Sequence, residues 1–463
     1  MRDDAGSLTG EPELRFYDSL IPSHKSKAPG SPAVGALSAG EPLPTLVLQV
    51  LGELGLTQQT FEAASQRARS NATDLGWELV CAGEVSENAL TAAMGKALGI
   101  AVAASADPDS IVCDGAGTTP QGGCLTLPDM RGQRTLRVCG RDLQGRLLIA
   151  PRLEDLNAMQ ALLALHPDRS GSLCMASSRV LCQHIDAASL ARRAEAARLS
   201  LEADRPELSA RTVWTGGQGF VAGTIALALL QMVLTDAYLL LTVLHLAVLP
   251  LFLFCTLTRL LAAGHLLRRK HSSRGTQAAA TAPSDPAIPH PVYSVLVPLY
   301  DEAEMVAGLV ASLSAFQWPA SRLEIMLVCE ADDLQTIDAA RTAIVDKPHF
   351  TLVLVPPALP RTKPKALNVA LPLATGDFVV LYDAEDRPQP DQLEAAWRRV
   401  RGDDDSLACL QAPLVIRNGA NSWLSGHFAL EYAALFRGFL PWLVAKGLPL
   451  PLSGTSNHFR ALM

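Results

Sequence analysis

The chain has 463 residues with 39 basic and 46 acidic side chains, a net charge of −7, which excludes electrostatic attraction to nucleic acid as an organising principle. Hydrophobic residues make up 49% and aromatic residues 5%, an apolar excess that argues against a purely soluble enzyme and directs attention to membrane segments. The nine cysteines include no CxxC pair, which suggests neither a disulfide framework nor a zinc knuckle, so the parts outside a membrane read as cytoplasmic.

Residues 1–42 mix Gly, Ser, Pro and Ala without periodicity and lack a basic start followed by an apolar run, which reads as a disordered tail rather than a signal peptide. Leu46, Leu48, Val50, Leu51 and Leu54 open a helical pattern that recurs to about Leu98. Within it Gly55-Leu56-Thr57 is loosely echoed by Gly83-Glu84-Val85-Ser86. Strand-like runs follow at Thr135–Val138 and Arg146–Ala150, separated by a turn signal at Asp142–Gly145. A helix over Leu153–Leu165, a strand at Leu173–Ala176 and a helix over Ser178–Ala188 complete a helical plus small α+β region spanning 43–190. Residues 191–211 continue as a helical connector, and the stretch Ala187–Glu202 reads as solvated.

Residues 212–235 and 237–258 carry no charged side chain, and each exceeds the roughly 20 residues that a helix needs to cross a bilayer. Only Asp236 divides them, which predicts a transmembrane helical hairpin with its turn near Thr235-Asp236 and Pro250 a possible kink. Arg259, Arg268, Arg269, Lys270 and Arg274 follow the second helix, whereas the turn has no basic residue. The positive-inside rule then places both flanking regions in the cytoplasm, in a multi-pass protein of the inner membrane. His245 in the second helix reads as a neutral packed side chain or as a functional intramembrane group. Residues 259–291 form a basic juxtamembrane segment and linker.

From residue 292 to 463 strands alternate with helices. Tyr293–Val297 leads into Leu299-Tyr300-Asp301-Glu302 and a helix through Val306, Leu309, Val310 and Leu313. Leu323–Val328 leads into Cys329-Glu330-Ala331-Asp332-Asp333 and a helix from Gln335; a strand follows at Phe350–Val355. Asp377–Leu381 leads into Tyr382-Asp383-Ala384-Glu385-Asp386. This order predicts an α/β domain with a mostly parallel sheet covered on both faces, whose ligand crevice lies at the carboxyl ends of the strands. All three acidic clusters fall there. Singly they are ordinary turn formers; together they would repel a phosphate unless a divalent cation intervened, and Asp383 and Glu385, two apart, suit a hard cation with open positions. Arg361, Lys363 and Lys365 supply counter-charge.

These residues resemble a glycosyltransferase family 2 domain of the GT-A (nucleotide-diphospho-sugar transferase) fold, similar to membrane synthases of the cellulose synthase kind. Pro298-Leu299-Tyr300-Asp301-Glu302 stands at the family's Pro-x-Tyr-Asn-Glu motif, which implies nucleotide contacts from Tyr300 and Glu302. Cys329-Glu330-Ala331 replaces Asp-Asp-Gly, with Glu330 at the position that meets the base. Lys363-Pro364-Lys365-Ala366-Leu367-Asn368 resembles Lys-x-x-x-Leu-Asn, implying Lys363 and Asn368 under the diphosphate. Asp383-Ala384-Glu385-Asp386-Arg387-Pro388 resembles Asp-Ala-Asp-x-x-Pro, implying donor contact at Asp383 and a Mg2+ or Mn2+ ion on Asp383 and Glu385. Gly454, Thr455, His458 and Arg460 lie in an element resembling Gly-Thr-x-x-x-x-Arg, which lines the acceptor side.

The resemblance implies an inverting, metal-dependent transfer of a sugar from a nucleotide-diphosphate donor to a polysaccharide or glycan acceptor, with exopolysaccharide assembly proteins as candidate partners. The family's Thr-Glu-Asp motif, which holds the catalytic base, its Gln-x-x-Arg-Trp motif and its later membrane helices would lie beyond Met463. The catalytic base is therefore unassigned, and the expectation is a C-terminally truncated chain that binds donor without turnover, with His458 the first substitute base to test. The rival reading is a non-catalytic membrane adaptor with a degenerate nucleotide-sugar domain. Phe428, Tyr432, Leu435, Phe436, Phe439 and Trp442 follow helical spacing, as an amphipathic helix on the membrane or as a core helix. Residues 43–190 resemble the N-terminal domain of type II secretion and pilus assembly ATPases, in Leu75-Gly76-Trp77-Glu78-Leu79-Val80, Gly83 and Leu90. Some of those relatives bind cyclic di-GMP, but Asp74 and Ala97 replace the Arg and Gln of that motif, so a carboxylate where a guanine-binding cation is expected argues against this ligand and for a docking or regulatory module.

Overall fold

Helix α1 (Thr45–Glu53) buries Leu46, Val47, Val50 and Leu51, the spacing that the sequence shows. Gly55 then takes a left-handed φ of +67° and Thr57 caps α2 (Gln58–Asn71) through Thr60 N. The same device recurs after α3 (Leu75–Cys81): Gly83 has φ +73° and Ser86 caps α4 (Glu87–Leu98). The faint internal echo is thus two copies of one helix-stop, helix-start instruction. The computed structural model describes residues 45–103, 111–112, 135–139, 146–209, 214–272, 288–359, 361–401 and 407–461. The expected tail, the turn at Asp142–Gly145 and residues 273–287 of the 259–291 linker lie outside them.

A five-stranded sheet follows, ordered β1-β5-β4-β3-β2, from β1 (Ala101–Ala103), β2 (Ile111–Val112), β3 (Thr135–Cys139), β4 (Leu147–Ile149) and β5 (Leu173–Ala176). Strands β1 and β2 are too short to carry a periodic signal and were not anticipated. Helix α5 (Leu156–Leu165) joins α1–α4 over Leu147, Ile149, Leu173 and Met175 in one core. Helix α6 is a single 27-residue helix, Ser178–Asp204, which corrects the reading of a short helix followed by a solvated connector: Ser189 and Arg193 are buried, and Leu190 and Ala197 pack against a second core. Its low apolar content hid that packed face.

Helices α7 (Gly216–Thr235) and α8 (Ala237–Ser272) lie against each other. Asp236 ends the first and starts the second, its Oδ1 accepting from Tyr238 N at 2.9 Å and Leu239 N at 3.1 Å. Helix α8 runs unbroken through Pro250 and on past Arg259, so the expected linker begins later than Arg259.

The second sheet owes its core to β6 (Tyr293–Leu299), whose residues are nearly all buried. Helix α9 (Ala303–Ser314), β7 (Leu323–Glu330), α10 (Leu334–Ala343), β8 (Phe350–Val355), α11 (Lys363–Ala370), β9 (Phe378–Leu381) and α12 (Gln392–Arg401) follow. Strands β9, β6, β7 and β8 are neighbours in that order and all parallel. Pro298, which has no N–H, sits where the β9 ladder has already ended at Leu296↔Leu381, so no bond is forfeited on that side. Strand β7 runs two residues further than the sequence suggested. Glu330 is therefore the last strand residue and shares a face with Met326 and Val328.

The chain continues through β10 (Cys409–Gln411), α13 (Trp423–Ala434), a π-helical turn at Leu435–Phe439, α14 (Leu440–Ala445) and β11 (Asn457–Arg460). The described residues fall into two units, one drawn from Met1–Ala197, Asp285–Glu394 and Arg460–Met463, the other from Arg198–Ser284 and Ala395–Phe459. Within the second, Phe436, Leu440, Trp442 and Leu443 close on Ala262 of α8, while Phe428 and Leu435 stay exposed. Among the described residues three helical segments, Gly216–Thr235, Ala237–Arg268 and Trp423–Ala445, are long and apolar enough to cross a membrane.

Candidate active site

Strand β6 has β7 on one side and β9 on the other, so successive strands reverse direction of addition at β6. A parallel sheet opens a ligand crevice at such a switch point, outside the carboxyl ends of the strands. The loops that line it follow β6, at Tyr300–Glu302, and β9, at Tyr382–Arg387. They carry the acidic side chains that the sequence singled out.

The first loop is held from its neighbour. Asp301 adopts a left-handed φ of +56°, a conformation that Asp tolerates better than most residues. Its N–H donates to Asp333 Oδ2 at 2.7 Å, and Glu302 N donates to Thr336 Oγ1 at 3.1 Å. Asp333 also caps α10 by accepting from Thr336 N at 3.2 Å. Neither Asp333 nor Thr336 had been read as a site residue, although Asp three positions before Thr at a helix start is a capping signal. Burial, opposed by a backbone hydrogen bond at Tyr300, pushes the Glu302 carboxyl above its ordinary range; Glu385 and Asp383 push it further and Lys363 opposes. These four side chains therefore share one electrostatic neighbourhood.

The loop after β9 is braced from within. Asp386 Oδ2 accepts from Asp383 N at 2.8 Å, and Arg387 Nη1 donates to the carbonyls of Ala384 at 2.8 Å and Asp386 at 2.7 Å. The guanidinium lies over Gly308 of α9, where an added Cβ would stand 3.0 Å from Nη2. Arg387 is a supporting residue that the sequence did not reveal, since its partners are backbone atoms.

Helix α11 supplies the cations. Thr362 caps it, accepting from Lys365 N at 3.4 Å. Lys363, in its first turn, forms an ion pair with Asp383, both partly exposed. Lys365 turns inward to Glu330, with Nζ 2.8 Å from Oε1 and 3.1 Å from Oε2, and also donates to Ala358 O at 2.9 Å. Both partners of this second pair are about 5% exposed. Tyr300 is half exposed; Arg361 donates through Nη1 to its hydroxyl at 3.1 Å, holds its guanidinium carbon 5.9 Å from the ring centroid and pairs through Nη2 with Asp332. Asn368 is exposed and, five residues on from Lys363, off its face of the helix. The structure thus brings together Glu302, Lys363, Asp383 and Glu385, with Glu330 in the layer beneath.

The candidate acceptor residues belong to the stretch ending in β11. Strand β11 pairs antiparallel with β10, Leu410 opposite His458. Thr455 and His458 are buried, Gly454 is exposed and Arg460 is half-buried. Burial lowers the His458 imidazole from 6.5 to about 4. A depressed folded value means that the neutral ring stabilises fully above about pH 6.5 and that this contribution disappears as pH falls through 4. Denaturant unfolding in detergent should show a loss of up to about 3 kcal/mol over that window, absent in His458→Gln; equal pH slopes in the two proteins would contradict it.

Among the described residues no group of three or more His, Cys, Asp or Glu side chains is placed to enclose a metal. Two carboxylates suffice for a Mg2+ or Mn2+ ion that completes its shell with water and substrate phosphates. Asp383 and Glu385, beside Glu302, fit an ion of that kind.

Residues 289–440 match the family model described as glycosyltransferase like family 2. That stretch is thus similar to glycosyltransferase like family 2, in a chain whose described residues include helices long and apolar enough to span a membrane. It is similar to an N-acetylglucosaminyltransferase of Rhizobium leguminosarum bv. viciae, 24% identical over 163 residues, 35% of this chain and 37% of that protein. It is also similar to the glycosyltransferase YibD of Escherichia coli strain K12, 26% identical over 132 residues, 28% and 37% of the two chains. Among solved structures, the mannosyltransferase PcManGT from Pyrobaculum calidifontis in complex with GDP-Man and Mn2+ is 26% identical, over 34% of this chain and 46% of that one, with a TM-score of 0.26. The chain spans about a third of the length of the curated relatives it matches.

Proposed function

We propose that this protein is a membrane-bound, inverting glycosyltransferase of the GT-A fold that moves a sugar from a nucleotide-diphosphate donor to a glycan acceptor at the cytoplasmic face of the inner membrane. The observation that carries the proposal is the meeting of Glu302, Asp383, Glu385 and Lys363 at the switch point beside β6, within the domain that matches the family. An acceptor hydroxyl attacks the anomeric carbon while the bond to the diphosphate oxygen breaks, the diphosphate departs with the electron pair, and the hydroxyl proton passes to a general base that is none of the donor-side carboxylates. Asp383 and Glu385 would hold a divalent ion, which when bound would supply Lewis-acid stabilisation of the leaving diphosphate. Lys363 adds positive charge beside Asp383, preorganised by its place in the first turn of α11. Tyr300, under the Arg361 guanidinium, offers a ring face for the nucleotide. Glu302 keeps the crevice acidic enough that donor enters with the cation rather than alone.

Calorimetry with a panel of nucleotide sugars, with and without Mg2+ or Mn2+, tests the reading. Binding of at least one donor with metal and none without is expected. Failure of every donor to bind in the presence of metal would remove it.

The topology belongs to the same proposal. Basic residues crowd the C-terminal part of α8 and none stands at the turn, so both flanking regions face the cytoplasm. Reporter fusions after Ser200 and after Ser284 should report cytoplasm, and one at Asp236 the opposite side. A cytoplasmic signal at Asp236 would eliminate the hairpin.

A further inference from the structure

Two contacts join the N-terminal helices to the sheet that bears the donor crevice, and neither touches the crevice itself. The first is at the foot of β7. Glu78 of α3 is buried, and its carboxylate accepts from Asn71 Nδ2 at 2.9 Å, from the Thr73 hydroxyl and from Ser321 Oγ at 2.6 Å. Trp77 Nε1 donates to Ser321 O at 3.2 Å, while Arg322 donates through Nε to Asn71 O at 2.5 Å and through Nη2 to Ala72 O at 2.7 Å. Those two carbonyls lie at the C-terminal end of α2, which a cation suits. Leu323, the next residue, opens β7.

The second contact is at the tail of α11. Arg193 of α6 is buried, and its Nη1 donates to Val369 O at 2.7 Å. Val369 carries one of the last four carbonyls of its helix, which have no partner within it, and Pro372, three residues on, has no N–H to offer. Ser189 Oγ, at 3.1 Å from Nε, and the Asp186 carboxylate hold the guanidinium from its own helix. Leu190 and Ala197 pack beside it on the core formed by β7, β8 and α11.

The elements gripped in this way carry, at their other ends, the crevice lysine Lys363 and the buried pair that lies beneath it. Strand β7 ends in Glu330, and α11 begins with Lys363 and Lys365. The Glu330–Lys365 pair ties those ends together. Strand, helix and N-terminal module thus form a closed frame, fixed at three corners by one polar cluster, one buried arginine and one buried ion pair. A shift at either outer corner has to be taken up at the third, because the packed core between them does not deform continuously.

We propose that the N-terminal module is a positioning part of the donor site, with Glu78, Arg322 and Arg193 as positioning residues that set donor affinity from outside the crevice. This rests on the donor reading above, so the experiment separates the two. Hydrogen exchange on the full-length, ligand-free protein compares wild type with Arg193→Met and Arg322→Met. Protection should fall at residues 328–331 and 363–366 in both variants, remain at β4 and β5, and return in Arg193→Lys, which keeps one donor. Donor titration should then show a rise in Kd of about 3- to 30-fold in the two Met variants. Conversely, saturating donor should raise protection at residues 71–78 in wild type, because coupling between sites is reciprocal. Should Arg193→Met not fold, Ser321→Ala and Arg322→Lys, each altering one corner, carry the same comparison. Unchanged protection at 328–331 and 363–366 overturns the inference whether or not any donor binds, and changed protection with unchanged donor affinity overturns it equally. If wild type binds no nucleotide sugar, the functional reading falls, while the exchange data still decide whether the module positions those loops.

Discussion

Lys365→Met should cost about 3–5 kcal/mol of stability, although the substitution keeps much of the side-chain volume. Removing one member of a buried ion pair leaves the other charge without compensation, and that penalty is of this size. Here the charge left behind is Glu330, which is about 5% exposed beneath α11. The Ala358 carbonyl, which accepts from the same ammonium at 2.9 Å, also loses its donor. The double variant Glu330→Leu/Lys365→Met should recover most of the loss, because exchanging both partners for apolar groups removes the desolvation cost with the attraction. Native-state hydrogen exchange of β7 in the detergent-solubilised protein reads both effects. A cost below about 1 kcal/mol in the single variant would show that the pair is not the closed, dry contact described above.

Asp383→Asn should act in the opposite way, with a large effect on binding and little on folding. Asp383 and Lys363 are both partly exposed, so their attraction is screened and contributes at most about 1 kcal/mol to stability. Donor affinity in Mn2+ should nevertheless fall by about 30-fold or more, the scale expected when one member of a charge-assisted contact is lost at a binding site. The neutral amide offers a poorer ligand to a hard cation and leaves the Lys363 charge without its partner. Metal chelation should abolish donor binding in wild type and add almost nothing in Asp383→Asn. Metal-independent binding of equal strength in the variant would exclude Asp383 from this role. The contrast between the two substitutions, one structural and one functional, lies within a single motif pair on α11 and its neighbours.

What the sequence by itself determined is local and periodic. The strand-loop-helix order after Tyr293 and the two charge-free runs meeting at Asp236 were legible because each is set by neighbours within one or two turns of chain, whereas the echo of Gly55 at Gly83 showed only as a weak repeat. Strand periodicity and acidic loop ends also indicated a parallel sheet with a crevice at its carboxyl edge. The lengths of elements were less legible. Glu330 read as a loop residue because a charged side chain seldom continues a buried strand, and α6 read as solvated because Arg193 does not look like a core residue. In both cases a partner distant in sequence made burial possible: Lys365 lies 35 residues from Glu330, and Val369 lies 176 from Arg193. Which carboxylates converge, which lysine serves the crevice and which serves the core, and that residues 71–78 bear on the foot of β7 were all decided by tertiary structure. A charge can be placed on an element from its spacing, but whether it is solvated, paired or buried depends on what the fold brings within about 4 Å of it.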